Sequence, residues 1–409
     1  MLNIIDNELT QLQNDANSRH SQFKKINDHP IFDLPFRSFF ISAVGISVIS
    51  LLIWIAFLHG QISLFNQGLN ATVWHIHEML FGFGATVAVG FLLTAVQTWT
   101  NKPSIKGSPV IALLSLWLLV RIFLLVNQPL FIYMAIALQL TWWLIVITVF
   151  SRLVISAKNS RNYVFIPLLT TLMILNVGVL ILDTLGHTDI ALHFARTAVL
   201  MFGLLMGILG GRVIPFFTSA ATQVKATSSP SWVTPLLLAT SISGISVFFV
   251  GQFISLPFTP AALMICAGIL HILRLSFWHS KATLSQPLLW SLHLSYLSLA
   301  IGLLLLGSSY LHTFILFSDA LHMITIGAMG LMIIAMMSRV SLGHTGRRLQ
   351  PNKWVAVSFA LLFSAAIARV FLPMLGHVQL AWDLSALAWL LAGCIFLVIY
   401  TPILAKARK

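Results

Sequence analysis

Residues 74–79 read Trp74-His75-Ile76-His77-Glu78-Met79, and the 17 residues that follow, Leu80 to Val96, carry no charge. Two imidazoles and a carboxylate therefore stand at the mouth of a run suited to hydrocarbon. A carboxylate there is costly unless it is paired, protonated or facing a polar cavity, so the stretch is a functional-site candidate. His75 and His77 diverge by about 200° on a helix, which turns one towards the bundle axis and the other towards a neighbour.

The rest of the chain repeats that apolar character. It is 58% hydrophobic and only 8% charged, with a mean hydropathy of +0.94. A soluble globule is excluded, because its surface needs roughly a quarter of its residues charged. A bilayer core of about 30 Å takes about 20 apolar residues of helix. Twelve such runs are present, at 37–58, 74–97, 108–126, 130–152, 163–185, 190–213, 232–253, 259–279, 286–308, 314–338, 353–375 and 381–403. The expected fold is all-α: a polytopic membrane protein of about twelve transmembrane helices. Residues 1–34 read as a polar tail, 35–404 as the membrane domain and 405–409 as a basic end. The tail holds no apolar core of signal-peptide length, so the first run is expected to stay as an anchor.

The net charge of +13 is not spread evenly. Arg19, Lys24 and Lys25 of the tail fall on one side of the membrane. Lys102, Lys106, Lys158, Arg161, Lys225, Lys281, Arg347, Arg348, Lys353, Lys406, Arg408 and Lys409 fall on the same side, and the loops opposite hold no Lys or Arg. The positive-inside rule then predicts both termini in the cytoplasm, with lipid rather than nucleic acid as the partner of the basic loops. Cys266 and Cys394 lie in separate apolar runs, with no CxxC or CxxCH motif.

An internal repeat appears when the runs are numbered 1 to 12. Run 2 opens with His75 and His77, run 6 has His193 near its start, and run 10 has Asp319 and His322 there. The intervals, 116 residues from His77 to His193 and 129 from His193 to His322, match four-helix units. Runs 3 and 11 share Val120-Arg121-Ile122-Phe123 and Ala368-Arg369-Val370-Phe371. Three units are read, at about 35–158, 159–282 and 283–404. Packed about a pseudo-threefold axis, they bring the outer ends of runs 2, 6 and 10 together.

Imidazole without thiolate suits copper, iron or zinc. A neutral imidazole also ligates haem iron, and buried arginines neutralise haem propionates. Copper is assigned to the outer cluster, with His75, His77 and His322 as ligands and His193 as a further candidate; Arg121 and Arg369 are the cationic residues there. Towards the cytoplasm, His271 and Arg274 share a helix face, as do His293 and Tyr296, near Arg212, Arg339 and the loop residue His344. Haem b is assigned to His293 with His271 as partner, its propionates meeting Arg274, Arg212 or Arg339. A single mixed site with His75 or His77 on haem stays open. Glu78 is the candidate proton donor.

Plainer readings stand beside these. Arg121 and Arg369 pair with Glu78, Asp319 or Asp383. The methionines of run 10 and Gly82, Gly84, Gly90, Gly203 and Gly207 serve helix packing. His59, His312 and His377 are solvated loop residues.

Several separate motifs are similar to those of one family. They are Pro35-Phe36-Arg37; Trp74 to Phe83 with Gly90 to Val96 and Trp99-Thr100; Gly210-Gly211-Arg212-Val213-Ile214-Pro215; Leu292-His293 with Tyr296; His322 with Thr325 and Gly327; and Arg339-Val340-Ser341-Leu342-Gly343-His344-Thr345-Gly346-Arg347. Over residues 32–404 the chain resembles the NnrS family. The resemblance implies a bacterial inner-membrane protein that contains haem and copper and serves the nitric oxide and denitrification response. It carries over His75, His77, Glu78, His293, His322 and His344; His193 and His271 fall outside its motifs.

Three functions compete on these residues. One is a redox protein relieving nitrosative stress, an NO-metabolising oxidoreductase if NO is turned over. Another is a transporter or relay for copper, protons or a small nitrogen species. The third is a non-catalytic NO-binding sensor. No motif marks the electron donor.

Overall fold

The computed structural model describes residues 26–63, 68–222, 224, 227–311 and 314–409; these form helices and turns, with no strand among them. Residues 1–25 of the expected tail, Lys225 and His312 lie outside the described residues. Among the described residues twelve long helices stand where twelve runs were read: α1 Pro35–Leu58, α2 Ala71–Thr100, α3 Ser108–Val126, α4 Pro129–Ser156, α5 Phe165–Thr184, α6 Thr188–Thr222, α7 Val233–Val250, α8 Ala261–Ser276, α9 Pro287–Ser309, α10 Phe317–His344, α11 Lys353–Phe371 and α12 Val378–Leu404. Eleven are long and apolar enough to cross a membrane, so the chain is a multi-pass membrane protein; α8, with 16 residues, is the short one.

Local chemistry sets the ends. Asn70 and Asn352 cap α2 and α11 by accepting hydrogen bonds from Thr72 N at 2.9 Å and Trp354 N at 3.0 Å. Proline opens α1, α4 and α9, where its missing N–H costs nothing. Asn101 and Asn127, both at φ 53°, close α2 and α3 in the left-handed conformation.

Two helices outrun their expected ends. α6 continues through Pro215 to Thr222 instead of stopping at 213, because a membrane helix re-satisfies the one bond a proline removes. α10 reaches His344, which is its last residue and not a loop residue. The stretch just before α1 is also fixed rather than loose: the Asn27 carboxamide oxygen accepts from Ser108 N at 2.7 Å and Ser108 Oγ at 2.6 Å. At the other end, buried Arg37 donates to the carbonyls of Leu404 and Lys406 at 2.9 and 2.6 Å, clamping the end of α12.

Burial sorts the helices into inner and outer. In their most apolar windows 83% of α2 and 72% of α10 are buried, and 61% of α6 and α9, against 28% of α1 and α7. Helices α2, α6, α9 and α10 are therefore the inner set, and the others present apolar side chains such as Ile122, Leu130 and Val398 outwards. Both α2 and α10 are interrupted by an eight-residue π-helical segment, Glu78–Ala85 and Met323–Gly330. Such segments are rare and concentrate at functional sites. Each contains two glycines. Gly84 lets α2 meet α10, since a Cβ there would stand 2.7 Å from Met329 Cε, and Gly330 makes room for the Trp389 ring, 2.5 Å from such an atom.

Candidate functional site

A cavity of about 420 Å³ opens between α2 and α10, walled also by α1, α6, α11 and α12. Two of the expected histidines line it. His75 stacks on Trp54, ring centroids 4.4 Å apart and planes at 13°, and its buried Nδ1 has no hydrogen-bond partner. His322 Nδ1 lies 2.6 Å from the Ser318 carbonyl, so that nitrogen donates and Nε2 keeps its lone pair. Arg369 also lines the cavity and holds Asp319 at 2.6 Å; Arg196 of α6 is the second cation there. Trp54, Trp382, Trp389, Met79 and Met329 supply much of the apolar wall.

His77 faces away, as two-residue spacing requires. Its ring sits in a fully buried chain of polar groups joining α2 to α3, α4 and α5. Trp143 Nε1 donates to Asn176 Oδ1 at 2.8 Å, which leaves the Asn176 NH2 to donate to His77 Nε2, also at 2.8 Å. His77 Nδ1–H then points at Glu78 Oε1, 3.2 Å away. Glu78 Oε2 lies 3.3 Å from Arg121 Nε, and Arg121 donates to Gln139 Oε1 at 2.9 Å. Both nitrogens of His77 are committed, so the expected His75, His77 and His322 copper triad does not assemble. Among the described residues no three His, Cys, Asp or Glu side chains stand together in a way that could hold a metal ion.

His193 also leaves the expected cluster. It stacks on Phe248 of α7, centroids 4.6 Å apart, and its Nε2 donates to the Phe249 carbonyl at 3.2 Å. Helix α6 does reach the cavity, through Leu192, Ala195, Val199 and the charged side chain Arg196.

The inner-half group is a set of small contacts rather than a chamber. His271 Nδ1 meets Tyr296 OH at 2.8 Å, and Arg274 donates to Gly207 O at 3.1 Å. His293 is held on both sides, by Thr218 Oγ1 at 2.8 Å and Ser280 Oγ at 2.9 Å. The cavity at His271 holds about 20 Å³, room for a water and not for a haem. The expected His293 and His271 haem pocket is thus filled by protein side chains. Arg212 donates to Asn162 Oδ1 and Arg161 O, both at 3.1 Å, Arg339 lies 4.0 Å over the Phe217 ring, and His344 packs on Phe36 with centroids 5.5 Å apart. None of the three lines the large cavity.

Of the plainer readings, Arg121 pairs with Glu78 and Arg369 with Asp319, while Asp383 pairs with His59 at 2.9 Å. Gly82, Gly84, Gly90, Gly203 and Gly207 all sit at close approaches to side chains of other helices or of their own turn. Trp54, Trp389, Asn176, Gln139, Thr218 and Ser280 carry no sequence signal of their own; Arg196 had one, its position three residues after His193 on the same helix.

The family model described as NnrS protein matches residues 30–408, nearly the whole chain. Among curated proteins none matches it.

Proposed function

The chain belongs to the NnrS family, and on that premise we propose that it is a membrane protein of the nitric oxide response holding haem b in the cavity between His75 and His322. The observation that carries this reading is the cavity itself. It is large and mostly apolar, and it joins a histidine with an unpartnered buried nitrogen to one whose Nδ1–H is anchored on a backbone carbonyl. Histidines that bind metals are oriented in that second way. The iron, when bound, supplies a site for a diatomic ligand and one-electron chemistry.

The chain's own residues do the rest. Trp54 fixes the plane of His75, and the Ser318 carbonyl fixes the tautomer of His322. The tryptophans and methionines exclude water, and Arg369 and Arg196 face the cavity with positive charge. Glu78 does not line the cavity and is spent on His77 and Arg121, so its role is to hold α2 in place rather than to deliver protons. For copper, His75 and His322 are the imidazole donors facing this cavity. No Asp or Glu lines it, which speaks against a copper or proton relay. The basic loops support placement in the bacterial inner membrane with cytoplasmic termini.

The test is the protein purified in detergent, with metal analysis and a reduced-minus-oxidised spectrum before and after anaerobic NO. We expect a b-type spectrum that shifts with NO, and about tenfold or greater loss of haem in His75→Ala and in His322→Ala. His293→Ala should keep its haem. Full haem in the first two variants, with loss in the third, would overturn the assignment.

A further inference from the structure

A second cavity, of about 530 Å³, opens at the same ends of the helices and is lined by His193, Gln252, Ser255, Thr259, Ser309 and Tyr310 among others. Among the described residues Arg196 is the one side chain common to both cavities. It stands about 12 Å into α6 from Thr188, and its guanidinium lies 5.7 Å over the Phe317 ring. Several arginines of the bundle have polar partners: Arg121 has Glu78 and Gln139, Arg369 has Asp319, Arg274 has the Gly207 carbonyl and Arg37 has two carbonyls, whereas Arg339, like Arg196, lies over an aromatic ring. Arg196 has neither an ion pair nor a hydrogen bond among the described residues.

Arg196 is half-buried and faces both cavities with no counter-charge beside it, a setting that favours an anion. The lining says the same. Among the described residues the two cavities are lined by arginine, histidine, hydroxyl and amide groups and by no carboxylate. A cation would find no charge partner there, whereas an anion would find a fork of N–H donors at the junction.

We propose that Arg196 is the anion-receiving residue at the junction of the two cavities, and that it binds a carboxylate or small oxyanion arriving through the second, outer cavity. Two sources share that chemistry: a propionate of a haem seated between His75 and His322, and a free anion such as nitrite. The first source rests on the haem reading above; the second does not.

The full-length protein in detergent is melted in rising sodium nitrite, with sodium chloride at matched ionic strength as the control, and haem per protein is measured in the same preparations. Arg196→Gln removes the charge, with Arg196→Met as the fallback if that variant does not fold; Arg196→Lys keeps the charge without the two-pronged geometry. A saturable rise in melting temperature with nitrite but not chloride, abolished in Arg196→Gln and weakened about tenfold in Arg196→Lys, assigns the free anion. No nitrite response, with haem lost in Arg196→Gln and recovered in Arg196→Lys, assigns the haem carboxylate. A folded Arg196→Gln, or in its place a folded Arg196→Met, that matches the parent in both nitrite response and haem content overturns the proposal. The haem reading fails separately, if His75→Ala and His322→Ala keep full haem, and that result leaves the nitrite arm standing.

Discussion

At the residue scale Gly82 is the close approach that touches the buried ionic network itself. A Cβ there would lie 2.9 Å from Glu78 Oε2 and 3.0 Å from Arg121 Nη1, both on buried side chains tied to further partners. Gly82→Ala should therefore destabilise the protein by about 1–3 kcal/mol, read as a lower melting temperature in detergent. Glu78→Gln removes the counter-charge of a buried arginine, and a loss of about 3–5 kcal/mol is expected. Replacing both Glu78 and Arg121 with leucine should cost less than replacing Glu78 alone; a double mutant worse than the single would show that the pair does not act as a unit. The residues of this network were legible in part. A histidine and a carboxylate at the start of an apolar run announce a buried polar cluster, and the shared Arg-containing segments of runs 3 and 11 pointed to their ionic partners. Asn176, Gln139 and Trp143 were not legible, because a single polar side chain on a long apolar helix gives no sign of which neighbour it faces.

At the scale of elements, the two π-helical segments decide where the histidines point. Each inserts extra backbone immediately after a histidine, His77 in α2 and His322 in α10, and so sets the rotation of the first turns against the rest of the helix. Deleting one residue within 78–85 should convert that segment towards α-helix and swing His75 by about 100°. The expected outcome is loss of haem with the protein still folded. Unchanged haem would mean that the segment is only a packing accommodation. Sequence periodicity located all twelve helices but not these segments, since an interrupted helix keeps its apolar composition and differs only by paired glycines that also suit ordinary close packing. The same limit applies to grouping the histidines. Helical spacing told correctly that His75 and His77 diverge, but which of them meets His322 depends on the turn between them.

For the whole molecule, the distribution of Lys and Arg predicts a sidedness that labelling can check. In a variant with Cys266 and Cys394 replaced by serine, a cysteine at Gly60 or Gly376 should react with a membrane-impermeant maleimide in intact cells. One at Arg348 should react only after the membrane is broken; the reverse pattern would invert the topology. The cavity itself was beyond sequence reading, because its walls come from six helices and run from Leu51 to Trp389. Helix α8 adds a consequence for the surrounding lipid. Its 16 residues span about 24 Å, short of the roughly 30 Å hydrocarbon slab, and Thr259 and Pro260, immediately before it, line the outer cavity. A span this short is met by local thinning of the bilayer or by flanking side chains that reach to the interface, and the place where it is met is the rim of that cavity. Acyl-chain length is therefore expected to bear on that entrance, longer chains lengthening the way in.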